Sequence, residues 1–299
     1  MTRDGALRYR HKAMATIFEL MIAGEDEPFA AGAANEAFAL LDRLEADLSR
    51  FLPNSDISRI NNLDAGGSVQ VSADTFECLR LSARFHRETG GAFDMTLGSL
   101  KDLWAAKSQA SATQDVHTNT DTGGRRGMNQ IDLEEATMTV HVRGGSPQID
   151  LGAIGKGYAV DCAAELLREW GVASALVHGG TSSVYGFGEY LHSPGWPVTL
   201  SHPSHGGLIE KAVLNDRGLG GSGISKGRHI IDPRTGIPAD VRLAAWVFSE
   251  SACRSDALST ACMVLPRDEI ARLIGADPRL GAVIVEREEV IRFGPPEAP

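Results

Sequence analysis

Glycines, a lysine and two carboxylates lie together in the segment 150–161, DLGAIGKGYAVD. Glycine lets backbone amides approach an anion, and the amides at the start of a helix favour negative charge. Lys156 adds a mobile ammonium group. The spacing fits neither the Walker A loop nor the GxGxxG fingerprint. The segment therefore indicates a phosphate site at a helix N-terminus, although a tight turn that only packs a helix against a strand would use similar residues.

A carboxylate and a hydroxyl recur one helical turn apart near the end of the chain. Asp256 and Thr260 are four residues apart in the apolar segment 253–264, so we expect their side chains on one face of a helix. Such oxygens suit a hard cation that also takes phosphate and water oxygens, which describes Mg²⁺. The alternative is a helix cap, in which Asp256 accepts from amides and Thr260 bonds to its own helix.

Three further places could contact a flat ring or an anion. Asp94 lies among apolar neighbours after a Gly-Gly pair, so its carboxylate needs hydrogen-bond donors. The run Ser49–Phe51 offers a hydroxyl, a cation and an aromatic ring, although a plain helix C-terminus explains it equally well. His229 precedes a turn of sequence Asp-Pro-Arg-Thr-Gly, where it could also be a histidine that bonds only local carbonyls.

Three of these segments resemble signatures of one protein family, in that family's order. Segments 150–161, 229–236 (HIIDPRTG) and 255–261 (SDALSTA) are similar to motifs of the ApbE family, the magnesium-dependent FAD:protein FMN transferases. Segments 14–16 (MAT), 48–61 and 91–98 (GAFDMTLG) resemble its remaining motifs. The resemblance spans nearly the whole chain.

The resemblance implies a reaction and its rivals. FMN would pass from FAD to a Thr or Ser hydroxyl of an acceptor protein with a short flavinylation motif, and AMP would leave. Attack by water on the same phosphorus would make the protein an FAD pyrophosphatase. A non-catalytic flavin-binding or flavin-delivery protein is expected instead if the Asp256–Thr260 pair is only a helix cap.

The resemblance also implies site residues. Mg²⁺ would be held by Asp256, Ser259 and Thr260 and by the backbone carbonyl of Ala153. His229 and Asp256 would be catalytic, and Asp161 is left as a structural cap. The residues expected to contact FAD are Met14, Ser49, Arg50, Phe51, Asp94, Asp150, Lys156, Gly179, Gly180, His229 and Ile230.

Three features depart from the family's pattern, and one of them is a short stretch between Gly223 and His229, where the lid over the adenine or the acceptor is expected to differ. The usual glycine between Met14 and Thr16 is Ala15 here, and its methyl group could crowd the ligand. The usual T-S-G before the histidine is Gly221-Ser222-Gly223, which loses one hydroxyl.

The elements that must position these residues follow from hydrophobic periodicity. It predicts helices at 28–48, 72–88 and 158–170, and strands at 13–22, 174–177, 182–187, 196–200, 208–214 and 243–248, with a hairpin at 282–293. Long helices with runs of short strands indicate the α+β class. We expect a single ApbE-like domain over 1–299, with mixed, largely antiparallel sheets and packed helices, and a flexible insertion at 108–127.

The amino-acid composition limits the kinds of partner and the compartment that we expect for this protein. A net charge of −10 would repel a phosphate backbone, so nucleic acid is not an expected partner. The four cysteines are scattered without a C-x-x-C pair, and we expect them to be reduced. No run of 18 apolar residues or signal-like N-terminus is present. We therefore expect a cytoplasmic protein without a membrane anchor.

Overall fold

The computed structural model describes residues 5–109, 127–224, 227, 230–287 and 289–294. The helices of this part of the chain are α1 (Glu27–Leu48), α2 (Asp56–Asn61), α3 (Ala73–Glu88), α4 (Gly98–Gln109), α5 (Gly155–Glu169), α6 (Ala252–Cys262) and α7 (Arg267–Gly275). Its strands are β1 (Ala6–Ala13), β2 (Thr16–Ala23), β3 (Ser68–Gln70), β4 (Ile131–Glu134), β5 (Thr139–Val142), β6 (Ser174–Gly179), β7 (Ser183–Phe187), β8 (Trp196–Ser201), β9 (Leu208–Leu214), β10 (Arg217–Gly223), β11 (Arg242–Ser249), β12 (Gly281–Glu286) and β13 (Glu289–Phe293).

Eight of the strands form one antiparallel sheet, in the order β1-β2-β6-β7-β10-β11-β12-β13. Strands β3, β5 and β4 form a small sheet, and β8 pairs with β9 as a separate ribbon. Because β10 and β11 lie inside the large sheet, their side chains reach both of its faces.

The large sheet has a different cover on each face. Phe18, Leu20 and Ile22 alternate along β2 and are buried in the core that contains α1, α3, α5 and α6. On the opposite face, Trp196 and Leu214 from the β8–β9 ribbon belong to a second core with residues of β6, β7, β10 and β11. The period of two along the strands therefore divides the sheet between a helical layer and the ribbon.

The α+β class with largely antiparallel sheets is confirmed. The predicted helix at 28–48 is α1, and Ser72 caps α3 by accepting from the Thr75 amide at 3.2 Å. No helix in the described residues is long and apolar enough to cross a bilayer.

Several predicted bounds are wrong. The single strand expected at 13–22 is a hairpin of β1 and β2, because Met14 and Ala15 adopt positive φ (49° and 56°) in a two-residue turn. The helix expected at 158–170 begins three residues earlier, at Gly155. The expected insertion at 108–127 lies outside the described residues, apart from Ser108 and Gln109 at the end of α4 and Gly127.

Candidate functional site

Helices α5 and α6 bring two of the motif segments together. Gly157, in the first turn of α5, is so close to α6 that a Cβ there would stand 2.8 Å from Cys253 Cα and nearer still to the Ala252 carbonyl oxygen. Only glycine permits this approach of two backbones. Across the contact, the Gly157 amide donates to Asp256 Oδ2 at 3.2 Å. The start of α5 therefore lies against the carboxylate that the resemblance assigns to a metal.

Each of these helices also supplies a carboxylate to the N-terminus of the other. Asp161 of α5 accepts from the amides of Ala252 (2.7 Å) and Cys253 (2.8 Å) at the start of α6. Burial raises the pKa of the Asp161 carboxyl to about 7, although these two amide bonds oppose the rise. Asp161 is thus a structural cap that holds α6 against α5.

One face of α6 carries a cluster of oxygens. Ser259 Oγ and Thr260 Oγ1 donate to the backbone carbonyl of Asp256, at 2.9 and 3.3 Å. Ser222 Oγ of β10 lies 2.8 Å from Ser259 Oγ and 3.0 Å from Thr260 Oγ1. Asp256 is only 2% exposed, and its Oδ1 accepts no hydrogen bond from any described residue. Since Asp256 lines the cavity, this unbonded oxygen is open to a ligand or water there.

Lys156 lies beside this cluster, in the first turn of α5. Its Nζ donates to the Gly152 carbonyl at 2.8 Å and lies 3.8 Å from Asp256 Oδ2. A cation at the start of a helix opposes the helix dipole, and the Asp256 carboxylate offsets that conflict.

The oxygens and Lys156 open into a large cavity of about 670 Å³. This volume is in the range of small-molecule and cofactor sites. The predicted site residues that line it are Arg50, Asp94, Asp150, Ala153, Lys156, Ile230, Asp256 and Thr260. Residues from both halves of the chain therefore converge on one space.

A network of charges lines another part of the cavity. Asp150 pairs with Lys101 Nζ (2.6 Å) and Arg50 Nε (3.1 Å), and its Oδ1 accepts from the Gly152 amide (2.9 Å). Arg50 also pairs with Asp102. Burial would raise the pKa of the Asp150 carboxyl, but the two cations and the amide hold it below its usual range. Asp150 is thus an anchor for two cations rather than an unpaired acceptor.

Asp94 finds its donors within the chain. Its Oδ1 accepts from the amide of Thr96 (2.7 Å) and from Thr96 Oγ1 (2.6 Å), and His86 Nδ1 lies 3.7 Å from Oδ2. Its side chain is 6% exposed and lines the cavity. One oxygen of this largely buried carboxylate is therefore satisfied within the chain, whereas Oδ2 accepts no hydrogen bond from a described residue.

Other predicted site residues do not line the cavity: Met14, Ser49, Phe51, Gly179, Gly180 and Ser259. Phe51 is 79% exposed, with the Arg50 guanidinium 4.9 Å from its ring centre. Gly179 is the last residue of β6 and Gly180 begins the turn to β7, and the next two residues, Thr181 and Ser182, line the cavity instead. His229 lies outside the described residues, and its role stays a prediction.

Folding brings to the cavity several residues that the sequence did not single out, and most of them belong to segments distant from the motifs. Lys101, Ser182, Ser222 and Trp246 line the cavity. Ser222 lay within a recognised departure, the Gly-Ser-Gly run. For Trp246, in a plain apolar strand, the sequence offered no signal.

The donor set fits a hard cation. Among the described residues, no group of three or more His, Cys, Asp and Glu side chains could hold a metal. The oxygens available are one carboxylate, with Oδ1 unbonded by protein, and the hydroxyls beside it. One carboxylate with neutral oxygens is an arrangement that Mg²⁺ accepts when a substrate phosphate and water complete its shell.

Comparison with known proteins points to the same family as the sequence motifs. The model of the ApbE family matches residues 14–284. The FAD:protein FMN transferase of Treponema pallidum is 28% identical over 286 residues, covering 87% of this chain and 78% of that protein. That of Haemophilus influenzae is 28% identical over 256 residues, covering 78% and 72%.

Solved structures share the fold. Pseudomonas stutzeri flavinyl transferase ApbE in its apo form superposes with a TM-score of 0.82 at 23% identity, covering 97% of this chain and 94% of that one. Flavin transferase ApbE from Vibrio cholerae gives 0.83 at 23% identity, covering 97% of both chains. By the extent of the family match, this chain belongs to the ApbE family.

Proposed function

We propose that the chain is an FAD:protein FMN transferase that moves FMN from FAD to a Ser or Thr hydroxyl of an acceptor protein. The observation that carries the proposal is the meeting of α5 and α6. This contact sets Lys156 3.8 Å from the Asp256 carboxylate, at the edge of a cavity large enough for a dinucleotide. The relatives named above carry the same activity in their names.

The proposed reaction exchanges the phosphoanhydride bond of FAD for a phosphoester bond to the acceptor. The acceptor oxygen bonds to the phosphorus on the FMN side, the bond from that phosphorus to the bridging oxygen breaks, and AMP leaves. The hydroxyl proton passes to a base or to solvent. His229 is our candidate for the base that accepts this proton, and the assignment rests only on its position in the HIIDPRTG motif.

Cations of the chain would bind the pyrophosphate. Lys156, whose Nζ contacts the Gly152 carbonyl and the Asp256 carboxylate, lines the cavity and would bind an anion there. The first amides of α5 add partial positive charge at the same place. Arg50 and Lys101, held by Asp150, would attract the anionic substrate while their own positions stay fixed.

We propose Mg²⁺ as the cofactor, held by Asp256 and Thr260 with the Ala153 carbonyl. When bound, the ion would neutralise charge that develops on the phosphate oxygens. The support for it is the unbonded Oδ1 of the buried Asp256 and the hydroxyls beside it.

We also propose that the chain forms a single domain and that it works in the cytoplasm. The large sheet joins residues from Ala6 to Phe293, which supports one folding domain. The four cysteines, Cys78, Cys162, Cys253 and Cys262, are free thiols, three of them buried, which supports a reducing compartment such as the cytoplasm. Fractionation of the native host tests the latter, and recovery outside the cell would contradict it.

Transfer can be measured directly. The chain is incubated with FAD, Mg²⁺ and an acceptor domain that carries a D-x-x-[ST]-G-A-[ST] segment, and flavin fluorescence of the acceptor is read in a denaturing gel. We expect a fluorescent acceptor band that needs Mg²⁺. Asp256→Asn keeps the shape of the side chain but removes its charge, and should abolish the band.

The matched control is Asp268→Asn, the same substitution on α7, where the side chain is 77% exposed. This variant should transfer at the wild-type rate. Wild-type labelling by the Asp256→Asn variant would contradict the proposed metal site, and absence of labelling by the wild-type chain would contradict the function.

A further inference from the structure

Trp246 of β11 forms part of the cavity wall, directly opposite Gly221 of β10 in the sheet. We propose that its indole ring binds the adenine end of the dinucleotide by stacking, and so determines how the AMP half is held. The inference rests on the proposed function, and it assigns one residue of this chain to one half of the substrate.

Gly221 makes room for the indole. A Cβ at position 221 would stand 2.9 Å from Trp246 Cδ1 and 3.1 Å from its Nε1. These distances are too short for any side chain unless the ring moves. The resembling family usually has threonine at this position, so glycine here and tryptophan across the strand pair are matched to each other.

The indole N–H is available to a ligand. Nε1 of Trp246 makes no hydrogen bond with any described residue, whereas Trp196 Nε1 donates to Ser174 Oγ (3.2 Å) and to the Phe187 carbonyl (3.0 Å). Trp104 Nε1 likewise donates to the Gly236 carbonyl at 3.1 Å. A half-buried tryptophan normally finds a partner for this group. Trp246 therefore offers both a ring face and a donor to a heterocycle with ring nitrogens.

The cavity lining places the pyrophosphate site between the charge network and Trp246. On one side, the Gly152 amide bonds to Asp150 and its carbonyl to Lys156, which lies beside Asp256. On the other side, Ser222 of β10 contacts Thr260 on the Asp256 helix, and Ser222 and Trp246 line the same cavity from opposite faces of the sheet. A dinucleotide has its pyrophosphate between its two ring systems, so one ring falls at each end.

The two ends of the cavity, at the charge network and at Trp246, are lined by different kinds of side chain. The network of Arg50, Lys101, Asp102 and Asp150 suits the isoalloxazine, whose pyrimidine edge presents carbonyls and an N–H. The described cavity lining also includes uncharged residues, among them Trp246, Ser201, Pro203 and Leu243. Adenine is uncharged near neutral pH, and stacking on an aromatic side chain suits it.

Equilibrium binding tests the assignment without the transfer reaction. ADP and FMN are titrated separately into the wild-type chain and into Trp246→Ala and Trp246→Phe by calorimetry. We expect Trp246→Ala to weaken ADP binding about tenfold, within the range for one stacked base. FMN binding should change by less than about twofold, and Trp246→Phe, which keeps a ring, should recover most of the ADP affinity.

Gly221→Ala provides the reciprocal test, because its methyl group would displace the indole. It should weaken ADP binding in the wild-type background and have no further effect in the Trp246→Ala background. Thermal unfolding of each variant separates loss of binding from loss of folding.

Two outcomes would overturn the inference. Unchanged ADP affinity in a destabilised Trp246→Ala variant would mean that the indole only covers a glycine in the sheet. Loss of FMN rather than ADP binding would place the flavin ring there. In either case, wild-type labelling of the acceptor would leave the proposed function intact, whereas its absence would contradict that function independently.

Discussion

Replacing Gly157 by alanine tests the helix contact on which the site depends. The new Cβ would meet the backbone of α6, 2.8 Å from Cys253 Cα, so one helix must move. Overpacking of this kind costs about 1–3 kcal/mol of unfolding free energy. Alanine is the better helix former by roughly 1 kcal/mol, which offsets part of that cost. We expect a net loss of about 0–2 kcal/mol, toward the upper end because the new methyl group meets backbone atoms.

Gly155→Ala is the matched control in the same helix. A Cβ at position 155 would lie 3.5 Å from Leu151 Cβ, an ordinary van der Waals contact. The unfolding free energy of this variant should stay within about 0.5 kcal/mol of wild type or rise slightly.

Urea denaturation measures the stability of the two variants, and the Mg²⁺ concentration for half-maximal AMP release measures the site. In Gly157→Ala, displacement of the amide that bonds Asp256 Oδ2 should raise that concentration. If Gly157→Ala is as stable as Gly155→Ala and needs no more Mg²⁺, the contact does not position the carboxylate and the reasoning is wrong.

Three further outcomes are expected. Because burial raises the folded-state pKa of Asp161 to about 7, above its unfolded value, this group's contribution is fully present at low pH and is lost as pH rises. The unfolding free energy should fall by about 2 kcal/mol between pH 5 and 7, and Asp161→Asn should lack that fall; an unchanged pH dependence in the variant contradicts this. Thr260→Val should raise the Mg²⁺ requirement for AMP release less than Asp256→Asn, since water can replace a neutral ligand, and an equal loss would count against it. His229→Ala should slow transfer more than it weakens FAD binding; an unchanged turnover number with weaker binding would make His229 a ground-state contact only.

Elements with strong local signals were predictable from the sequence. Helix α1 has apolar residues at helical spacing, and Ser72 gives α3 its cap. Strand β10 was not predicted, because four of its seven residues are glycine, which has a low β propensity. Gly218 and Gly220 are explained by the close approach of the start of α6, and Gly221 by Trp246, contacts that no local pattern reveals.

The candidate site was predictable where residue spacing along one helix places two side chains on the same face. Asp256 and Thr260 are four residues apart, and both line the cavity. Asp150 also lines the cavity, but its pairing with Lys101 and Arg50 was not predictable, because partners distant in sequence arrive only through folding. Trp246 was missed for the same reason, since its significance depends on the glycine opposite it in a neighbouring strand.

The central claim is tested most directly by counting products. Wild-type chain, FAD, Mg²⁺ and the acceptor domain are incubated together, the acceptor is weighed by intact mass spectrometry, and AMP and free FMN are quantified by chromatography. The account predicts one AMP released for each FMN bound to the acceptor, with no free FMN. AMP and free FMN beside an unmodified acceptor would reveal a pyrophosphatase, and intact FAD would reveal a flavin-binding protein; either result contradicts the claim.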